Sequence, residues 1–249
     1  MREVCMLSAK AGRNTPCWWD CGTYCRRRIV GIKKGLGGFK PTDIANLAAW
    51  FQNNKGITSS LGAVSQWDDQ SGNGRHLKQA TGTNQPALQA DGSILFDGVD
   101  NYLKCDAFTL SQPITYYLLA NQITWTDNDV LVDGNTNDVG LLHQSGSTPA
   151  LRIYAGAGVA LAASPSIGAY HVLYAVFNGA SSVVGADNGA TSTGNAGASN
   201  MGGLTLGAHA DGASNWSNIQ AKEFIVYAAA HDAATRNVVI NYLMNLGGL

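Results

Sequence analysis

Residues 64–105 read VSQWDDQSGNGRHLKQATGTNQPALQADGSILFDGVDNYLKC, and this stretch decides the fold class. Three turn clusters, Asp69-Gln-Ser-Gly-Asn-Gly74, Asp91-Gly92 and Asp97-Gly98, alternate in it with short apolar runs. Asn, Asp and Gly tolerate positive φ or bond nearby backbone through short side chains, so such clusters end strands and set tight returns. Many short strands joined this way predict an all-β sandwich or jelly roll. Further strands are predicted over 114–125, 129–132, 139–143, 150–154, 159–162, 170–177, 182–186, 203–208 and 219–228. Their spacing leaves no room for βαβ crossovers. Upstream, Pro41 with Thr42 or Asp43 starts a short turn, after which Ile44 to Phe51 leads into the first strand. The last 18 residues change period. Asp232 is placed to cap a helix, Val238, Val239, Tyr242, Leu243 and Leu246 form a stripe, and Gly247-Gly248 ends it.

With 249 residues the chain can bury a substantial core, and one all-β domain over 39–249 behind an N-terminal arm over 1–38 is the economical division. Charged residues make up only 13%, about half the usual share, and so weak a charge coat favours association, including homo-oligomers. Met1 to Lys10 lacks the apolar run of a secretory leader, and no stretch is apolar enough to span a membrane. Five cysteines, an odd number, also argue against a secreted disulfide framework.

The net charge of −1 hides an asymmetry. Residues 1–38 carry eight basic side chains and two acids, whereas 39–249 carry eight basic residues and fifteen acids. The arm, ending in the joint Gly35-Leu-Gly-Gly38, has Trp18, Trp19, Arg26, Arg27, Arg28, Lys33 and Lys34 as candidate anchors to a neighbouring subunit. Its basic run also suits nucleic acid or an acidic protein surface, but no nucleic-acid-binding module surrounds it. Cys5, Cys17, Cys21 and Cys25 follow none of the common zinc spacings and are read as reduced thiols, with a metal site as the alternative.

Two blocks resemble the concanavalin A-like (LamG-like) jelly-roll domains. The first is the order W-x-D-x-S-G-N-G (Trp67 to Gly74), Gln85-Pro86, and F-D-G-V-D-x-Y-L (Phe96 to Leu103). The second is Leu204-Thr-Leu-Gly207, Asn215-Trp216 and Ile219 to Tyr227, followed by the terminal helix. The resemblance covers roughly residues 39–249 and implies a fold frequent in bacterial surface proteins and bacteriophage virion proteins. Fold alone does not fix function.

Catalytic constellations are sparse. Glycosidases of the resembling fold commonly use paired carboxylates, yet Glu3 and Glu223 are the only glutamates, leaving an aspartate pair such as Asp127 and Asp129 in a loop. A lyase would need a cluster built around one of three domain arginines, Arg75, Arg152 and Arg236. There is no G-x-S-x-G, Cys105 is expected in the core, and His76, His143, His171, His209 and His231 form no metal pair. Asp127, Asp129, Asp133, Asn135, Asn137 and Asp138 could bind calcium, but Asp138 stands where an EF-hand-like loop needs Gly, so a polar hairpin tip is preferred. No catalytic residue, metal or cofactor is therefore assigned. A glycan site needs an aromatic platform beside amides and carboxylates, which Trp125 with Asp127 and Asn128, or Asn215-Trp216 near Asp211, would supply.

These features together point to a non-enzymatic bacteriophage virion protein: a head decoration, cement or fibre protein, or a tail appendage. Its lectin-like jelly roll would be displayed and its arm fixed to capsid or tail subunits, the particle being assembled in the host cytoplasm. The alternative is a carbohydrate-binding adhesion or receptor-binding module that meets a host-surface glycan. A polysaccharide-degrading enzyme is the third reading.

Overall fold

The computed structural model describes residues 38–135, 139–146, 149–161 and 165–249. The candidate arm anchors, the four arm cysteines, Asn137 and Asp138 lie outside the described residues. The unit Phe39–Leu249 is built from short antiparallel strands and one helix. In chain order they begin with β1 (Leu47–Phe51), β2 (Ile57–Ser60), β3 (Ala63–Trp67), β4 (Leu77–Lys78) and β5 (Ala87–Leu88). Next come β6 (Ile94–Asp97), β7 (Leu103–Lys104), β8 (Ile114–Gln122), β9 (Val130–Asp133) and β10 (Leu141–Gln144). They continue as β11 (Leu151–Tyr154), β12 (Gly158–Ala160), β13 (Tyr170–Phe177) and β14 (Ser182–Ala186). The last are β15 (Thr191–Gly194), β16 (Thr205–Leu206), β17 (Asn218–Tyr227) and the helix α1 (Ala233–Gly247).

The hydrogen-bonded order gives two layers. One runs β15-β14-β13-β8-β17, and the free edge of β17 is shared by β6 along its first half and β1 along its second. From β6 the ladder passes through β5 and β3 into the other layer, β4-β7-β16-β9-β10-β11-β12, with β2 flanking β3. The long strands β8, β13 and β17 are buried on both faces. Alternation explains how: Ile114, Tyr116 and Leu118 enter the main core between the layers, while Tyr117 and Leu119 enter a second cluster. That cluster also holds Val239, Ile240 and Leu243 of α1, so the helix covers the outer face of the first layer.

The strand expectations hold with local differences. The run expected over 114–125 stops at Gln122, and β2 and β15 were not expected, since Thr191-Ser-Thr-Gly194 carries no apolar residue. Asp232 caps α1 as expected by accepting from the Thr235 amide at 2.8 Å, and Gly248 closes it at φ 72°. The expected stripe is displaced: Val238 and Leu246 are 46% and 37% exposed, and Ile240 is buried instead. The W-x-D-x-S-G-N-G segment is turn chemistry. Buried Asp69 accepts from the amides of Trp50, Ser71 and Arg75 and from the Ser71 hydroxyl, which ties the turn to β1. Cys105 is buried, and burial pushes its thiol up to about 11.

Candidate functional site

The outer face of the second layer lacks a helical cover and carries a groove of about 330 Å³ over β9, β10 and β11. Alternation sends Val132, Leu142, Leu151 and Ile153 into the core. The positions between them, Val130, Leu141, His143, Arg152 and Tyr154, line the groove together with Asn128, His209 and Asn215. In register, His143 lies opposite Arg152 and also opposite Val130, and Leu141 lies opposite Tyr154. A guanidinium, two imidazoles, a phenol and two amides thus share a concave surface with a few apolar side chains. Such a mixture suits a ligand with hydroxyl edges and small C–H faces.

Two loops frame the groove. Asn128 and Asn215 both stand in the left-handed region, at φ 70° and 52°, where asparagine is favoured among side-chain-bearing residues. The Val130 amide donates to the Asn215 carbonyl at 2.8 Å, joining the 207–217 loop to β9. His209 sits in that loop with Nε2 3.8 Å from Asp133 Oδ2 and Nδ1 3.4 Å from Asp211 Oδ2. Asp133 is wholly buried and accepts from the Gly134 and Ala210 amides at 2.7 and 2.8 Å, while burial holds its pKa above the usual carboxylate range. Asp129, between two lining residues, is pushed up to about 6 by burial. Asp211 is held low, chiefly by the Ala213 amide.

Arg152 is positioned from below. Its guanidinium carbon lies 5.7 Å from the centre of the Tyr154 ring, and the side chain crosses Gly158, where an added Cβ would collide with the guanidinium. Among the described residues no carboxylate forms an ion pair with it.

The two glycan sites expected separately adjoin one groove. Asn128 and Asn215 line it, and Asp211 reaches it through His209. Trp125 and Asp127 instead hold the neighbouring turn, Trp125 Nε1 donating to the Gly146 carbonyl at 3.1 Å and Asp127 accepting from the Gly146 amide at 2.6 Å. Trp216 is half-buried, with Nε1 enclosed and without a hydrogen bond among the described residues. Sequence reasoning missed His143, Arg152, Tyr154 and His209. For the first three a signal existed: polar residues at the outward positions of strands whose inward positions are apolar. Glu223, the lone glutamate of the domain, lies on the helix-covered face, where it accepts from Trp50 Nε1 and the Tyr242 hydroxyl, both at 2.7 Å. Among the described residues no His, Cys, Asp and Glu cluster fit for a metal is present, and no helix is long and apolar enough to cross a membrane.

No family model and no curated protein matches the sequence. Solved structures do share its fold. An arabinofuranosidase complexed with arabinofuranosyl-α-1,2-xylobiose aligns with a TM-score of 0.57 and 15% identity, over 74% of this chain and 51% of that one. Trypanosoma rangeli sialidase aligns with a TM-score of 0.54 and 13% identity, over 81% of this chain and 33% of the sialidase. A structure described as HCR/D-Sa-GBL1/C aligns with a TM-score of 0.55 and 11% identity, over 82% and 53%. The chain thus spans about half or a third of their lengths. These likenesses correct the expectation of a non-enzymatic bacteriophage virion protein, because glycosidase chains carry this fold and nothing ties the chain to a particle. The carboxylates nearest the groove are the aspartates Asp133 and Asp211, which flank His209. What the likeness shows is the fold, a β-sandwich shared with arabinofuranosidase and sialidase structures.

Proposed function

We propose that the chain is a concanavalin A-like (LamG-like) saccharide-binding sandwich of a carbohydrate-active protein, and that the sugar lies in the groove over β9, β10 and β11. The outward row of His143, Arg152 and Tyr154, flanked by Asn128 and Asn215, carries this reading. It combines donors that orient hydroxyl groups with an aromatic edge and aliphatic side chains for the sugar's C–H faces. Glycosidase chains of the same fold support a carbohydrate setting. Titration calorimetry against a panel of arabinose-, xylose- and sialic-acid-containing oligosaccharides tests it. Binding by the native chain that falls about tenfold in Tyr154→Ala, roughly 1.4 kcal/mol, is the expected result. Binding that ignores substitutions of Tyr154, Arg152 and Asn215 would place the sugar elsewhere.

One arrangement favours a second reading, cleavage of the bound sugar. His209 lines the groove with the carboxylates of Asp133 and Asp211 at 3.8 and 3.4 Å from its two ring nitrogens, so an imidazole backed by carboxylates borders the bound sugar. Release of nitrophenol from aryl glycosides, lost in His209→Gln while oligosaccharide binding persists, would establish it. No release from any aryl glycoside would remove it.

A further inference from the structure

We propose that the saccharide is anionic and lies across two cationic depressions on the outer face of the second layer. The inference rests on the saccharide-binding reading above and names the class of sugar. The second depression, about 450 Å³, lies over β4 and β7 and is lined by Lys78, Gln79, Tyr102, Lys104, Asp106 and Asn135 among others. Leu77 and Leu103 point into the core, so Lys78 and Lys104 point outward. They are direct cross-strand partners. Like charges placed directly opposite one another weaken a strand pair. Asp106 lies 3.1 Å from Lys78, and Lys104 donates to the Ala210 carbonyl, leaving two ammonium groups with one carboxylate.

The 207–217 loop joins this depression to the groove. Its His209 lines the groove, its Ala210 carbonyl holds Lys104, and its Gly212 packs so tightly on the Tyr102 ring that a Cβ there would clash. No Asp or Glu lines the groove, whereas Arg152 does. This clustering occurs in a segment, 39–249, with fifteen acids and only eight basic residues. Three of those eight, Lys78, Lys104 and Arg152, line the two depressions. Concave surfaces focus the field of their charges, so the two depressions draw in anions despite the acidic surroundings. The ligand chemistry is an anionic group, carboxylate or sulfate, repeated along a saccharide.

The test uses the full chain and three soluble polymers: polygalacturonate for carboxylate, dextran sulfate for sulfate, and dextran as the uncharged control. At low salt at least one anionic polymer should bind about tenfold tighter than dextran and weaken steeply when the ionic strength is raised to about 0.2 M. Arg152→Gln and Lys78→Gln should each lower that affinity about fivefold, and Lys78→Gln should leave dextran binding unchanged. Lys78 is exposed, so its substitution leaves the core intact, and circular dichroism verifies the fold of both variants. The polymer preferred assigns the anionic group. Equal binding of dextran and both anionic polymers overturns the charge inference while sparing the saccharide site. Absence of binding to any saccharide overturns both. Loss in Arg152→Gln with none in Lys78→Gln overturns the second depression.

Discussion

Glu223 is a buried carboxylate placed by a backbone irregularity. The register of β17 against β8 slips between Ala221 and Glu223, so that Glu223 pairs with Leu119 and turns to the helix side instead of following Ala221 into the main core. There it accepts from Trp50, Tyr242 and, at 3.3 Å, the Asn53 amide, while burial raises its pKa. Glu223→Ala would leave two enclosed donors without an acceptor and should cost about 3 kcal/mol or more in urea unfolding. Glu223→Gln keeps one oxygen and removes a desolvated charge, so its loss should be smaller, about 1 kcal/mol. A residue-scale prediction for the groove concerns Gly158. Gly158→Ala displaces only the flexible end of Arg152, so stability should change by less than about 1 kcal/mol while affinity for an anionic saccharide falls as in Arg152→Gln. Unchanged affinity would show that Arg152 does not need this seat. Asn128 and Asn215, both of which line the groove, were singled out in the sequence as amides beside Trp125 and Trp216. Arg152 and His143 were not, because their role depends on register between strands that the sequence alone does not reveal.

At the scale of elements, the strands were legible where apolar residues recur, as in β8, β13 and β17. They were not where pairing alone makes the strand, as in β15. The face of α1 was misplaced because a short stripe tolerates rotation by one residue, and the sheet selected Ile240. The junction between β17 and α1 holds a pH-sensitive group. His231 is 6% exposed, lies 4.4 Å from the Tyr227 ring centre and shares a 2.8 Å hydrogen bond with the Tyr117 hydroxyl. Burial lowers its pKa from 6.5 to about 4. The unfolded chain therefore binds the proton more readily. The stabilising contribution is complete above pH ~6.5 and is lost as pH falls through the window to ~4, about 3 kcal/mol in all. Asp129 and Asp133 shift in the opposite sense, since burial raises them and their protonation favours the folded state. The measurement is therefore a difference: the stability gap between native chain and His231→Gln should shrink as pH falls from about 7 to 4. A gap independent of pH would mean that His231 titrates normally.

For the molecule as a whole, the fold class was legible because turn clusters and alternating apolar runs both demand short antiparallel strands. The division at residue 38 was read from charge and from Gly35 to Gly38, and it makes its own prediction. Both core clusters of the unit Phe39–Leu249 draw their residues from Phe39 onward, and every lining residue of the two depressions lies between Lys78 and Asn215. A chain of residues 39–249 should therefore keep the β-dominated circular dichroism spectrum, with its minor helical part from α1, and unfold cooperatively. It should also keep its saccharide affinity at about 0.15 M salt, where the Debye length is about 8 Å and charges further off than this are screened. At low salt the outcome for an anionic polymer separates two sources of attraction. If the depressions supply it, truncation leaves the affinity within about twofold, because Lys78, Lys104 and Arg152 remain. If the basic arm supplies it, truncation removes the preference for anionic over neutral polymer altogether, and the assignment of charge recognition to the outer face of the second layer falls with it.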